Sequence, residues 1–221
     1  MTVASSGLRA TVADRRYRLF EMRTLGVAFL SLVIVSRVLA GPGFVNTGSS
    51  GELNPPSHEL AVESGYLFGV FDPPQDYQIA AEFITARVRW GVLQRDDWLR
   101  GYNQFYFSAV AEPILEGIEN RYFGFNFGLR YNFVQPGSRL IPYFSGGLGL
   151  GWIDSHANIP GGQGQDFTFN ILTAAGVSYQ INERWNVSAG ILYQHLSNGG
   201  QTDPNPSLNL LGPQIGINYS F

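Results

Sequence analysis

Strict alternation of residue types over a long stretch is the feature that most restricts the fold of this chain. From Phe123 to Phe133 every second residue is aromatic or aliphatic, and the residues between them are glycine, asparagine or arginine. Successive side chains of a β-strand point to opposite faces, whereas a helix would spread these aromatic residues around its circumference. Residues 122–134 are therefore predicted to form a strand with one aromatic face and one small or polar face.

The same two-residue alternation recurs along the chain and predicts about eight strands. Each is longer than a strand of a soluble protein, which usually has about five or six residues. Three other segments alternate clearly, at 166–180, 184–197 and 211–221. Four less regular segments lie at 58–71, 76–92, 103–116 and 139–153. Because turn residues separate these segments, they are predicted to form an antiparallel up-and-down sheet.

The direction of the apolar face distinguishes two kinds of barrel. A soluble lipid-binding barrel of the lipocalin type turns its apolar face inward, whereas an outer-membrane barrel turns it toward lipid. Here the opposite face carries Asn126, Arg130, Asn132 and Gln180 rather than a charged fringe, and aromatic residues gather at segment ends. We therefore predict an all-β, eight-stranded transmembrane β-barrel whose interior is filled by side chains. The lipocalin-type barrel is kept as an alternative.

The first forty residues have the three regions of a secretory signal peptide. Arg23 precedes an apolar run from Leu25 to Val35, and small residues follow up to Ala40. The run is shorter than the about 20 residues that a membrane-spanning helix needs, so an uncleaved anchor is the less favoured alternative. Met22 is a plausible true start.

The predicted organisation is a signal peptide at 1–40, a flexible lead-in at 41–57 and a barrel at 58–221. Residues 1–40 hold six arginines and two acidic residues, which leaves eight arginines, 15 acidic residues and a net charge of −7. A negative chain is a poor nucleic-acid binder, and none is predicted as a partner.

Composition also restricts the chemistry. The chain has no cysteine, which excludes disulfides, thiolate zinc sites and a cysteine nucleophile. Its three histidines leave little room for a histidine-rich metal centre, and no metal or cofactor is predicted.

Two polar residues share the apolar face of the seventh predicted strand. If both chain ends lie in the periplasm, this strand runs outward, and His195 and Ser197 continue the lipid-facing series of Tyr193 at its outer end. Polar residues are unfavourable there unless they lie at the interface or have a function. Residues i and i+2 are about 6–7 Å apart, so His195 could act as general base for Ser197 on a lipid of the outer leaflet. The alternative is a histidine at the headgroup boundary and a serine that opens a turn.

The run His195-Leu196-Ser197-Asn198, followed by a glycine-containing turn and one last strand, resembles the PagL family of lipid A 3-O-deacylases. The likeness covers about 58–221 and includes the strand count, the signal peptide, the motif position and the aromatic last strand. It implies an outer-membrane esterase that hydrolyses the ester of the 3-hydroxyacyl chain at position 3 of lipid A. Ser197 would be the nucleophile and His195 the base. The backbone N–H of Gly200 and the Asn198 region would form the oxyanion hole.

One position departs from the family pattern. The deacylases that define the motif place a glutamate twelve residues after the serine to orient the histidine, and this chain has Asn209 there. An asparagine carbonyl can fix the histidine tautomer but cannot stabilise an imidazolium by charge. Asp203 in the preceding turn is an alternative acid, and Asn209 could instead simply begin a strand. A non-enzymatic structural or adhesion-type barrel that has lost activity through this difference is the second functional hypothesis.

The last predicted strand alternates up to a terminal aromatic residue, Phe221. This ending resembles the signal by which bacterial outer-membrane barrels are passed to the barrel assembly machinery. The predicted partners are this machinery, lipid A or lipopolysaccharide, and outer-membrane lipid. The oligomeric state stays open, with a homodimer as one option.

Overall fold

The computed structural model describes residues 52–71 and 76–221, which form eight strands. Their bounds are β1 His58–Gly69, β2 Gln78–Leu93, β3 Gly101–Glu116, β4 Arg121–Phe133, β5 Leu140–Ile153, β6 Phe167–Gln180, β7 Trp185–Ser197 and β8 Leu208–Ser220. Every predicted strand is present. The predicted signal peptide at 1–40 and residues 41–51 of the predicted lead-in lie outside the described residues. Among those described, no helix has the length and apolar character to span a membrane.

The strands close into a barrel in chain order, which confirms the predicted architecture. Each strand pairs antiparallel with the next, and β1 also pairs with β8, in a register that sets Glu59 opposite Ser220 and Gly69 opposite Leu210. Closure pairs each of the eight described strands on both sides, a condition for a sheet that crosses hydrocarbon. We call the rim at which β1, β3, β5 and β7 end the outer rim. The two longest loops between strands, 154–166 and 198–207, lie there.

The apolar face points away from the barrel axis. Phe107 and Phe125 lie next to each other on adjacent strands with ring centroids 5.6 Å apart, and Phe127 is 59% exposed. Aromatic pairs also occur toward both ends of the wall, such as Trp152 with Phe167 at the outer rim. An apolar wall with aromatic ends is the surface of an outer-membrane barrel, and it excludes the lipocalin-type alternative.

The interior is polar and filled. Arg87 lies at 4% exposure and forms ion pairs with Glu59 at 2.7 Å and Glu63 at 2.5 Å. Arg130 donates to Ser178 at 2.8 Å, and its guanidinium lies 3.6 Å from the ring centroid of Tyr143. The cavity beside these groups measures about 40 Å³, little more than room for water. These features confirm the predicted filled interior.

Inward glycines of β5 make room for large polar side chains of β3 and β4. A Cβ atom on Gly147 would lie 2.2 Å from the Tyr106 hydroxyl, and one on Gly151 would lie 2.4 Å from the Tyr122 hydroxyl. The glycine-rich run of β5 therefore serves interior packing.

Near the outer rim the interior also contains a cluster of buried apolar side chains, beside buried polar ones such as Glu112 and Gln194, which the alternation did not predict. Leu196 of β7 faces Leu208 of β8 across the strand pair, and both are fully buried. Leu67, Ile79 and Ile153 extend the same buried cluster across the barrel. We call this cluster the apolar plug. It fixes the ends of β7 and β8 from the inside, and so positions the residues that alternate with it on the outside.

Candidate active site

The strand pair β7–β8 brings two of the predicted site residues together. His195 and Asn209 lie directly opposite each other in the register, and His195 Nδ1 is 2.8 Å from Asn209 Oδ1. A carbonyl oxygen can only accept a hydrogen bond, so Nδ1 is the donor. The neutral ring therefore carries its proton on Nδ1, and the Nε2 lone pair is available to take a proton.

A third residue shares this contact. The hydroxyl of Tyr193 donates to the same Asn209 Oδ1 at 2.8 Å, so that oxygen accepts from two side chains of β7. The sequence placed Tyr193 on the outward face but gave it no role. Its position two residues before His195 could have indicated this contact, because neighbours on the same face of one strand can reach the same residue of the adjacent strand.

Ser197 is the last residue of β7 and lies half-buried on the same outward face as His195. The backbone N–H of Gly199 donates to Ser197 Oγ at 3.4 Å. Among the described residues, no hydrogen bond joins the His195 ring to Ser197. On the β6 side, Phe169 pairs with Ser197 and Ile171 with His195, so apolar lipid-facing side chains border the site.

The residues predicted to supply the oxyanion hole are engaged within the 198–207 loop. The Asn198 side chain is fully buried, and its Oδ1 accepts from the N–H of Gly200 at 2.9 Å. The N–H of Asn198 itself donates to Asn205 Oδ1 at 3.0 Å. Gly199 and Gly200 both have positive φ, at 67° and 74°, a conformation that glycine adopts without strain. These hydrogen bonds hold the turn that follows Ser197.

The 198–207 loop is also fastened to the 154–166 loop. The N–H of Gly164 donates to the Pro204 carbonyl at 2.7 Å, and Gln165 Nε2 donates to Gln201 Oε1 at 2.9 Å. Asp203, the alternative acid, is exposed in this loop and has no described hydrogen bond to His195, whose Nδ1 is held by Asn209.

Within residues 52–71 and 76–221, no group of three or more histidine, aspartate or glutamate side chains is arranged to hold a metal ion. The site itself contains a hydroxyl, an imidazole and backbone N–H groups.

Comparison with known proteins assigns a family. A family model described as lipid A 3-O-deacylase (PagL) matches residues 84–218, more than half of the chain. A search of curated protein sequences found no match.

Solved structures support the fold. The crystal structure of the outer membrane enzyme PagL is similar to this chain at 16% sequence identity and a TM-score of 0.52, and the match covers 72% of this chain and 97% of that chain. The crystal structure of Neisserial surface protein A is similar at 13% sequence identity and a TM-score of 0.56, and the match covers 74% of this chain and 97% of that chain. At these identities both matches show a shared barrel fold.

Proposed function

Because this chain belongs to the lipid A 3-O-deacylase (PagL) family, we propose that it is an esterase that removes the 3-O-linked hydroxyacyl chain of lipid A in the outer leaflet. The contact that carries the proposal is the 2.8 Å hydrogen bond between His195 Nδ1 and Asn209 Oδ1. It holds the histidine in the tautomer that a general base requires, two residues before Ser197 on the same face of β7.

The proposed reaction uses Ser197 as nucleophile and His195 as base. Ser197 Oγ attacks the ester carbonyl carbon while His195 Nε2 takes the hydroxyl proton. The tetrahedral intermediate collapses, the bond to the lipid A oxygen breaks, and His195 returns the proton to that oxygen. Water, deprotonated by His195, then hydrolyses the acyl-serine and releases the 3-hydroxy fatty acid. The products are this acid and lipid A with a free hydroxyl at position 3.

Charge on the former carbonyl oxygen needs N–H donors. The N–H of Gly199 already points at Ser197 Oγ, at 3.4 Å. For the N–H groups of Asn198 and Gly200 to act as the proposed oxyanion hole, the loop must exchange two internal hydrogen bonds for bonds to the substrate oxygen when substrate binds.

The location of the site favours a lipid substrate. His195 and Ser197 lie on the lipid-facing wall at the outer rim, beside Phe169 and Ile171, which are 39% and 40% exposed. A substrate with acyl chains can pack those chains against this wall and keep its headgroup at the rim. The longest loops lie at the same rim, as they do on the extracellular side of outer-membrane barrels. This supports a substrate that arrives laterally from the outer leaflet.

We also propose that the chain is exported and then inserted into the outer membrane by the barrel assembly machinery. Residues 1–40 would direct export and then be removed. The last strand, β8, pairs with β1 and ends beside Phe221, which is 65% exposed. We propose that this exposed terminal residue is part of the segment that the barrel assembly machinery binds.

Lipid A mass spectrometry tests the function. Expression in a host whose lipid A carries a 3-O-hydroxyacyl chain should produce a species lighter by that chain, absent from cells with empty vector. A Ser138→Ala variant, changed in a turn at the opposite rim, should give the same product as wild type. A folded barrel that leaves lipid A unchanged would contradict the esterase and favour the non-enzymatic barrel, which Asn209 in place of glutamate already makes the second candidate.

A further inference from the structure

We propose that Tyr193 is a positioning residue that selects the histidine tautomer by orienting the Asn209 amide. The proposal rests on the proposed esterase function and explains how an asparagine can act where the family pattern has a glutamate. Three atoms carry it: His195 Nδ1 and the Tyr193 hydroxyl oxygen each lie 2.8 Å from one acceptor, Asn209 Oδ1.

An asparagine in this position has a weakness that a carboxylate lacks. The oxygen and the NH₂ group of an amide have nearly the same size, so a half-turn about the Cβ–Cγ bond exchanges an acceptor for a donor. With NH₂ toward His195, Nδ1 would have to accept, and the ring proton would move to Nε2. The base would then carry a proton on the atom that has to receive one from Ser197. Both oxygens of a carboxylate accept, so turning it changes nothing.

The tyrosine hydroxyl makes the productive orientation the more stable one. In that orientation its proton has an acceptor, Asn209 Oδ1, on a wall that faces lipid. After a half-turn of the amide, the tyrosine oxygen would face an N–H donor, and its own proton would lose the one acceptor described for it. An unpaired hydroxyl proton in apolar surroundings is unfavourable. The amide is therefore held with its oxygen toward β7, and the proton of His195 on Nδ1.

The strand geometry keeps the three groups in place. His195 and Asn209 are directly opposite in the register, and Tyr193 is diagonal to Asn209 on the same face. The apolar plug residues Leu196 and Leu208 hold the two strands from inside. The hydroxyl of Tyr193 therefore needs no movement to act on the amide.

A double-mutant cycle tests the proposal with the full-length exported protein. Tyr193→Phe should lower kcat by about three- to tenfold, the effect of one hydrogen bond, with KM changed by less than about twofold. In an Asn209→Asp background, where the residue has the same shape but two accepting oxygens, the loss caused by Tyr193→Phe should shrink to less than about twofold. Equal losses in both backgrounds, or no loss in the Asn209 background, would overturn the proposal. Tyr179→Phe, which removes another lipid-facing hydroxyl at the opposite end of the barrel, serves as matched control.

A spectroscopic readout tests the tautomer without any activity. In a His58→Gln, His156→Gln background, His195 is the one imidazole left, and its two ¹⁵N chemical shifts report which nitrogen is protonated. We expect a proton on Nδ1 in this background and a mixture of tautomers after Tyr193→Phe. The same tautomer population in both proteins would contradict the orienting role. An inactive wild type with the expected shifts would instead contradict the proposed function and leave the role of Tyr193 supported.

Discussion

Replacing Asn209 should separate orientation of the histidine from stabilisation of its charge. Asn209 Oδ1 accepts from His195 Nδ1 and from the Tyr193 hydroxyl, both at 2.8 Å. Asn209→Ala removes the acceptor for both donors. Asn209→Glu supplies the residue that the family pattern has at this position, and adds a negative charge opposite the ring.

The hydrogen bond from His195 matters most once the ring is protonated in the transition state. Hydrogen bonds to charged groups contribute about 1.5–3 kcal/mol, so Asn209→Ala should reduce kcat by about ten- to a hundredfold. A charged acceptor makes a hydrogen bond roughly twice as strong as a neutral one. If the stronger hydrogen bond stabilises the transition state by about 1 kcal/mol more than the ground state, Asn209→Glu should raise kcat about fivefold.

The assay is the steady-state release of 3-hydroxy fatty acid from lipopolysaccharide by purified, refolded protein, with kcat and KM determined separately. Folding of each variant is checked by heat-modifiable migration on gels. Wild-type rates in both variants would show that Asn209 has no orienting role. A slower Asn209→Glu enzyme would contradict the argument that charge at this position helps.

Two other predictions concern the barrel itself. Arg87→Met should destabilise the barrel by about 3–5 kcal/mol, because it leaves the buried carboxylates of Glu59 and Glu63 unpaired. Adding Glu59→Gln and Glu63→Gln should restore most of that loss in urea unfolding, and no restoration would show that packing rather than charge dominates. At the outer rim, burial opposes ionisation of Asp154, but hydrogen bonds from the side chain and N–H of Asn120 hold its pKa below the ordinary value. The stability from this contact is therefore present above the unfolded-state pKa and lost as pH falls through the folded one. Asp154→Asn should speed hydrogen exchange of the 154–166 loop at neutral pH and have little effect in acid; an equal effect at both pH values would contradict this.

The barrel could be predicted because its pattern is local. The alternation from Phe123 to Phe133 fixes which side chains share a face without knowledge of any partner strand. The polarity of the opposite face then indicated which side meets lipid. Strand ends were less certain, because the last strand begins at Leu208, three residues before the clear alternation.

Contacts between strands could not be predicted, because they depend on register. Arg87 can form its ion pairs only in the observed register of β2 against β1. Tyr193 and His195 both reach Asn209 only in the observed register of β8 against β7. The apolar plug escaped prediction for a related reason. Leu196 and Leu208 are inward apolar residues that break the polar-inside rule, and only the assembled rim shows that they pack together.

The hydrogen bonds within the loop after Ser197 could not be predicted from the sequence either. The motif assigned Asn198 and Gly200 to the oxyanion hole by resemblance, whereas the structure gives their N–H groups acceptors inside the loop, Asn205 and Asn198 respectively. Short polar side chains in turns bind neighbouring backbone groups in ways that spacing alone does not reveal. The oxyanion assignment stays a prediction, with a substrate-induced change of this loop as its requirement.

The most direct test of the esterase is the Ser197→Ala variant, compared with wild type as purified protein reconstituted with lipopolysaccharide. Removing Ser197 Oγ deletes the atom that would form the acyl intermediate and leaves the strand pairing of β7 intact. Mass spectrometry of the lipid A should show loss of the 3-O-hydroxyacyl chain with wild type and an unchanged lipid A with the variant, while both proteins migrate as folded barrels. Equal deacylation by wild type and variant would contradict an esterase that uses Ser197 as its nucleophile.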